Sequence, residues 1–247
     1  MRDWRLLALD MDGTLLSADG GVSRANRTWI RRAQAAGIAV TFATGRPFSG
    51  QVESLAREFE LHEPLVTLNG GALWTPDGEL WEEHPFSAAD VEAAREAISA
   101  LPLSIRAYTA REGIDGSGWR ADGGRAWVKF VLGPDDPDIL RAARERLEES
   151  GRFAVTSTHP HNLEVNPRGV SKAAGLRTVC GRMGIEARQL AAVGDSLNDV
   201  EMLRFAGVGV AMGNAGDEVK AAADRCAPSC AKDGVAHAIR ALLAGEW

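Results

Sequence analysis

Two short acidic stretches carry the residues best suited to chemistry. Asp10 and Asp12 stand two positions apart near the start of the chain, and Asp195 begins an acidic stretch, residues 195–199, near its end. Each stretch follows a short apolar run typical of a buried parallel strand. Carboxylates just past the carboxyl ends of such strands converge where open α/β sheets bind ligands. Crowded carboxylates repel one another unless a cation lies among them, and all-oxygen ligands suit Mg²⁺. The sequence therefore predicts a metal-assisted enzyme.

Two further segments could hold a phosphoryl group. Thr44, Gly45 and Arg46 follow the second apolar run and offer a hydroxyl and backbone N–H groups, which suit an anionic oxygen. Lys172 begins a predicted helix, where an ammonium is disfavoured unless an anion lies nearby. Asn198 stands about one helical turn beyond Asp195 and is expected to face it. Taken singly, these segments also fit ordinary turns, an N-cap and a surface lysine.

The surrounding pattern indicates two units. Strand-like runs at 6–9, 38–43, 65–68, 190–193 and 208–212 alternate with helical runs, which predicts a parallel sheet with right-handed crossovers. The middle of the chain breaks this alternation and predicts a small α+β insert with a mostly antiparallel sheet, in which the glycine-rich residues 113–124 form a loop. Pro85 and Pro167 mark its limits. We therefore expect a core of residues 1–85 and 167–247 and an inserted domain of residues 86–166.

Composition narrows the function classes. The 247 residues are 45% hydrophobic and 25% charged with a net charge of −6, which is ordinary for a soluble globular protein and argues against a nucleic-acid or anionic-membrane surface. The apolar run near the start is too short for a signal peptide, and no run reaches the ~18 residues of a membrane span. Cys180, Cys226 and Cys230 lack usual zinc spacing and suit a reducing compartment. We expect a cytoplasmic protein.

Taken in order, these segments resemble the haloacid dehalogenase superfamily, in its Cof-type, type II capped branch. The resemblance implies a Rossmann-like parallel-sheet core with an α+β cap inserted between the second and third motifs. It covers the whole core, whereas the insert matches only in position and broad pattern. The matching segments are residues 10–16 for the first motif, Thr44 for the second, Lys172 for the third and residues 194–199 for the fourth, with further Cof-type likeness at 43–46, 69–70, 170–172, 211–215 and 233–236.

The resemblance also implies roles for the site residues. Asp10 attacks phosphorus and forms an aspartyl-phosphate, and Asp12 protonates the leaving group and then activates water. Mg²⁺ is held by the Asp10 carboxylate, the Asp12 backbone carbonyl and Asp195. Thr44 and Lys172 grip the phosphoryl oxygens. Gly45, Arg46 and Asn198 are expected to take part in binding the phosphate or substrate.

Three functions stay open at this point. A phosphatase acting on a small phosphorylated metabolite, such as a sugar phosphate, is favoured over a phosphomutase and over a non-catalytic sensor of a phosphorylated ligand. Arg106, Lys129 and His161 of the insert are candidate contacts to the leaving group. We expect a monomer or homodimer with no nucleic-acid or membrane partner.

Overall fold

The computed structural model describes residues 3–116, 125–133, 136–159 and 161–247. The strands in chain order are β1 (Leu6–Leu9), β2 (Ala39–Phe42), β3 (Leu65–Thr67), β4 (Ala72–Trp74), β5 (Leu80–Glu83), β6 (Ser104–Tyr108), β7 (Gly113–Asp115), β8 (Lys129–Gly133), β9 (Phe153–Thr156), β10 (Leu163–Pro167), β11 (Leu190–Gly194), β12 (Val208–Ala211) and β13 (Arg225–Cys226). The α-helices are α1 (Arg24–Ala35), α2 (Gln51–Glu58), α3 (Ala88–Ile98), α4 (Pro137–Glu149), α5 (Lys172–Met183), α6 (Val200–Phe205), α7 (Asp217–Ala222) and α8 (Gly234–Ala244).

A parallel sheet positions the acidic residues. Its strand order is β13-β12-β11-β1-β2, and each pairing is parallel. Leu9 at the end of β1 is in register with Val193 of β11 and with Phe42 of β2. The residues that follow β1, β2 and β11 therefore emerge at one edge of the sheet, as the sequence predicts.

Apolar alternation along the strands divides the core into two layers. Leu7 and Leu9 lie in a cluster with residues of α1, α2 and α8, whereas Leu6 and Ala8 lie in a second cluster with residues of α5, α6 and α7. Side chains of a strand alternate between its faces, so a strand that is apolar at every position is covered by helices on both sides. Both faces of the sheet are therefore covered by helices next to the site.

The third strand follows the prediction only in part. Because of its place among the alternating runs, residues 65–68 were expected in the parallel sheet, but β3 pairs antiparallel with β4 in a three-stranded sheet of order β3-β4-β5. A single parallel bridge, Ala43 to Val66, joins β3 to the end of β2. The Thr44 amide also donates to the Val66 carbonyl at 2.8 Å, so β3 stays beside the end of β2 while β4 occupies its other edge.

The inserted segment forms a separate antiparallel sheet with the order β7-β6-β8-β10-β9. Helices α3 and α4 cover one face, together with buried Phe86, Phe130 and Phe153. Residues 113–115, predicted as loop, form β7, since Arg106 and Tyr108 of β6 offer a partner edge; residues 117–124 of the same predicted loop lie outside the described residues. Among helices of the described ranges, none is both long and apolar enough to cross a membrane.

Candidate active site

Asp10 and Asp195 follow neighbouring strands and meet at the edge of the sheet. The Asp10 amide donates a hydrogen bond of 3.0 Å to the carbonyl of Val193. Gly13 lets the two loops approach closely: its φ is +76°, and a Cβ there would lie 2.4 Å from Asp195 Oδ2. Only glycine fits this position without moving the carboxylate.

Lys172 is the centre of the charge arrangement. It is the first residue of α5, after Ser171, whose hydroxyl caps the helix by accepting from the amide of Ala174 at 3.3 Å. Its fully buried ammonium donates to Asp10 Oδ1 and to Asp199 Oδ1, each at 2.6 Å. Burial disfavours the charged amine, but the two carboxylates outweigh it and raise the pKa of Lys172 above its ordinary value. The sequence predicts an anion beside Lys172, and the structure places two carboxylates there.

Asp199 uses both of its carboxylate oxygens in hydrogen bonds within the site. Its second oxygen, Oδ2, accepts the backbone N–H groups of Asp195 and Ser196, both at 3.0 Å. The carboxylate thus fixes the loop that carries Asp195 while it holds Lys172. Gly194 permits this contact, since a Cβ there would lie 2.5 Å from the Asp199 carboxyl carbon.

The neighbouring carboxyl groups resist ionisation. Burial, and then the charge of Asp199, raise the pKa of Asp195 to about 6. Burial is also the main cause that raises the pKa of Asp10 well above its usual range; the charge of Asp199 adds to it and Lys172 opposes it. Asp195 is held in place by Thr14 Oγ1 and Asn214 Nδ2, which donate to its two oxygens at 3.1 Å each.

These acids fit a divalent cation. Asp10, Asp195 and Asp199 can each direct one carboxylate oxygen into a group whose atoms lie within 4.8 Å of one another. A donor set of oxygens alone suits a hard cation, whose charge would also relieve the repulsion among them. Asp199 accepts three hydrogen bonds, from Lys172 and from two backbone amides, and is the most fully engaged of the three carboxylates.

Asp12 lies apart from this group. Its carboxylate accepts two hydrogen bonds from Arg46, from Nε at 2.7 Å and from Nη2 at 2.6 Å. The side chain of Asp12 is 55% exposed, whereas Asp10 is buried. Arg46 also donates to Gln51 at 3.0 Å, so the guanidinium faces Asp12 and Gln51. That the backbone carbonyl of Asp12 binds the metal stays a prediction.

The loop after β2 presents a second set of groups. Thr44 is fully buried, and its hydroxyl oxygen accepts the Arg46 amide at 3.2 Å. The carbonyl of Gly45 accepts from Lys129 Nζ at 2.9 Å. Asn198 donates to Asn69 Oδ1 at 3.0 Å, while its own buried carbonyl oxygen finds no hydrogen-bond partner within the described part of the chain.

A cavity of about 480 Å³ opens above these residues. Core and insert both line it, and the described lining residues are Asp10, Asp12, Gly13, Gly45, Arg46, Pro47, Tyr108, Lys129, Val131, Thr158, His159, Glu164, Asp195, Ser196 and Asn198.

Of the three candidate leaving-group contacts, only Lys129 belongs to this lining, and its ammonium pairs with Glu164 at 2.7 Å. Arg106 pairs instead with Asp115 at 3.3 Å and lines a different cavity. His159, rather than His161, reaches the active-site cavity. Neither Arg106 nor His161 belongs to this described lining, although Arg106 lies on the same face of the antiparallel sheet as Tyr108 and Lys129. Their contact with a leaving group stays a prediction.

Sequence reasoning missed the roles of Thr14, Asn69, Glu164 and Asn214. Glu164 did carry a signal: it stands between apolar Leu163 and Val165, and a lone acid in a buried strand requires a partner. The sequence does not identify that partner.

Comparison with known proteins fits this geometry. The family of haloacid dehalogenase-like hydrolases matches residues 7–118 and 120–239. The chain belongs to this family. The Cof-type assignment made from the motifs is thereby confirmed, as is the fold class.

Individual relatives align with this chain along nearly its full length. A 5-amino-6-(5-phospho-D-ribitylamino)uracil phosphatase of Bacillus subtilis is 35% identical over 96% of this chain and 95% of its own. A haloacid dehalogenase-like hydrolase of Bacteroides thetaiotaomicron superposes with a TM-score of 0.80 at 30% identity over 97% of this chain and 99% of its own. A second, from B. subtilis, gives a TM-score of 0.87 at 25% identity over 98% and 100%. The chain is an enzyme, a phosphatase of this family.

Proposed function

We propose that this phosphatase hydrolyses small phosphomonoesters through an aspartyl-phosphate on Asp10, with Mg²⁺ as its cofactor. The observation that supports this most is the buried Lys172 ammonium, 2.6 Å from both Asp10 and Asp199. A carboxylate can attack a phosphoryl dianion only where positive charge offsets the repulsion. A fixed ammonium beside the nucleophile supplies part of that charge.

The reaction divides into two displacements. In the first, a carboxylate oxygen of Asp10 attacks phosphorus, the bond to the leaving-group oxygen breaks, and Asp12 gives that oxygen its proton. In the second, Asp12 takes a proton from water, whose oxygen attacks phosphorus while the bond to Asp10 breaks. Inorganic phosphate is released. Thr44 and Lys172 hold the phosphoryl oxygens throughout.

Arg46 fixes the position of the Asp12 carboxylate in the absence of substrate. Two hydrogen bonds from Arg46 orient the Asp12 carboxylate beside the cavity, and its oxygens keep lone pairs for the proton that it gives to the leaving-group oxygen. Asp10 and Asp195, with the Asp12 backbone carbonyl, would hold Mg²⁺. When bound, the ion would offset the charge that the phosphoryl oxygens carry during transfer.

The substrate class follows from the cavity and the relatives. We assign residues 86–166 as a cap that provides the outer wall, where Tyr108, Val131 and His159 offer aromatic and apolar surface and Thr158 a hydroxyl. Such a wall suits a ring joined to a hydroxylated chain, and about 480 Å³ is an ordinary size for a metabolite site. Because the 35% identical relative is named for 5-amino-6-(5-phospho-D-ribitylamino)uracil, we propose this compound as the first to test, followed by sugar phosphates.

The test is phosphate release with Mg²⁺ across these compounds, phosphoglycolate, nucleotides and pyridoxal phosphate, with Asp10→Asn as the matched variant. We expect turnover of one or a few compounds, lost in the variant. Formation of an isomeric phosphate ester without free phosphate would instead identify a mutase. Equal turnover by Asp10→Asn would overturn the assignment of the nucleophile.

A further inference from the structure

Lys129 and Glu164 form a buried ion pair that the proposed mechanism does not use. They lie on neighbouring strands β8 and β10, and their charged groups are 2.7 Å apart with side chains only 2% and 7% exposed. Taking two such charges out of water costs several kcal/mol for each ion, and apolar residues of similar size would hold two surfaces together as well. The pair therefore calls for a reason other than adhesion.

The contacts of Lys129 supply that reason. Its ammonium donates to the carbonyl of Gly45 at 2.9 Å. The amide N–H of the same peptide unit, that of Arg46, donates to Thr44 Oγ1 at 3.2 Å. The peptide between Gly45 and Arg46 is thus held at its oxygen by Lys129 and at its nitrogen by Thr44.

This arrangement fixes the Thr44 hydroxyl. A threonine hydroxyl has one proton to donate and oxygen lone pairs to accept with. Since the oxygen accepts the Arg46 amide, its proton is left for another acceptor, and in the proposed mechanism that acceptor is a phosphoryl oxygen. If the peptide turned, the Arg46 amide would leave Thr44 and the hydroxyl would lose its fixed direction.

Glu164 secures the lysine from the other side. It accepts from Asn69 Nδ2 at 2.6 Å, and the backbone amide of Asn69 donates to the carbonyl of Thr44 at 3.0 Å. Space around Gly45 is correspondingly small: a Cβ there would lie 3.1 Å from both Lys129 Nζ and Asn69 Oδ1. A side chain at Gly45 would therefore displace members of this network.

We propose that Lys129, with Glu164 as its partner, is a positioning residue for Thr44 and acts through the peptide between Gly45 and Arg46. The insert then completes the phosphate-binding loop and does more than cover it. This inference rests on the proposed function in one respect, that Thr44 binds a phosphoryl group. It replaces the sequence-based expectation that Lys129 contacts the leaving group.

The test replaces the ion pair by an apolar pair, Lys129→Met with Glu164→Leu, which leaves the net charge unchanged and strands no buried charge. Thr44→Val and the triple variant complete a cycle. The matched control is Asp138→Leu with Arg141→Met, an exposed ion pair of α4 at 2.9 Å. The probe is inorganic phosphate in the presence of Mg²⁺, with its Kd measured by calorimetry, so the readout does not require turnover. Kinetics with p-nitrophenyl phosphate and with the best substrate are measured in parallel.

We expect the apolar pair to weaken phosphate binding roughly tenfold, the scale of one hydrogen bond to a charged group. In the Thr44→Val background the same replacement should have no further effect, and the control pair should leave the Kd unchanged. If the two effects multiply instead, Lys129 does not act through Thr44 and the proposal fails. A rise in KM for the best substrate alone, with phosphate binding and p-nitrophenyl phosphate unaffected, would make Lys129 a leaving-group contact and would also overturn it. Failure of the proposed function is a separate outcome, seen when the unaltered enzyme releases no phosphate from any substrate.

Discussion

Replacing Lys172 by methionine tests the charge arrangement most severely. Methionine is close to lysine in length and fills the same volume, so the variant removes the ammonium and little else. It leaves Asp10 and Asp199 buried without the donor that each contacts at 2.6 Å. Breaking a buried ion pair from one side costs about 3–5 kcal/mol, because the remaining charge stays uncompensated. Against a total stability of about 5–15 kcal/mol, this is a large loss.

The assay is urea unfolding at pH 7 with a chelator present, so that no divalent cation replaces the lost charge. Lys232→Met is the matched control: Lys232 is exposed, and its replacement should change the free energy of unfolding by less than about 0.5 kcal/mol. We expect Lys172→Met to lose at least about 3 kcal/mol relative to this control. A loss below about 1 kcal/mol would refute the reasoning, since it would mean that the ammonium does not compensate the two carboxylates.

Three further predictions concern single side chains. Arg46→Gln should lower kcat for alkyl phosphates roughly tenfold, because Arg46 positions the acid Asp12. It should change the hydrolysis of p-nitrophenyl phosphate far less, because an aryl leaving group needs no proton. Equal losses on both substrates would assign Arg46 to the phosphoryl group. Burial raises the pKa of Glu164, but Lys129 and the hydrogen bond from Asn69 outweigh it and hold this pKa below its ordinary 4.5. The stabilising contribution of Glu164 is therefore present above that pH and is lost as the pH falls through the lower folded value. Glu164→Gln should therefore be less stable than the unaltered enzyme at pH 7 and converge with it in acid; a gap in urea unfolding that does not change with pH would contradict this. Asp195→Asn should weaken Mg²⁺ binding in calorimetry at least tenfold, by loss of a charged ligand, and an unchanged affinity would remove Asp195 from the metal site.

The convergence of Asp10 and Asp195 was predictable because sheet geometry leaves little choice. Parallel strands in register end together, so acids that follow β1 and β11 must meet. An anion near Lys172 was also predictable, since an ammonium at the start of a helix is disfavoured without one; its burial was not. None of this depends on the details of side-chain packing.

The outer site was not predictable in the same way. Glu164 and Lys129 are 35 positions apart on strands whose pairing order the sequence does not reveal. Arg106 shares a sheet face with Tyr108 and Lys129, yet it pairs with Asp115 and lines a different cavity. The sequence does not reveal that pairing. The pairing of β3 with β4 has a similar cause, because a run as short as Leu65–Thr67 reads alike in a parallel and an antiparallel sheet.

The most direct test of the central claim is to trap the phosphoryl group on Asp10. In Asp12→Asn the second displacement lacks its base, and p-nitrophenyl phosphate spares the first displacement its acid, so the intermediate should accumulate. After acid quenching and digestion with pepsin at low pH, where an acyl phosphate survives, mass spectrometry of the peptide that contains Asp10 should show one added phosphoryl group, and fragmentation should locate it on Asp10. No added mass in that peptide, or a phosphoryl group on another residue, would contradict the account.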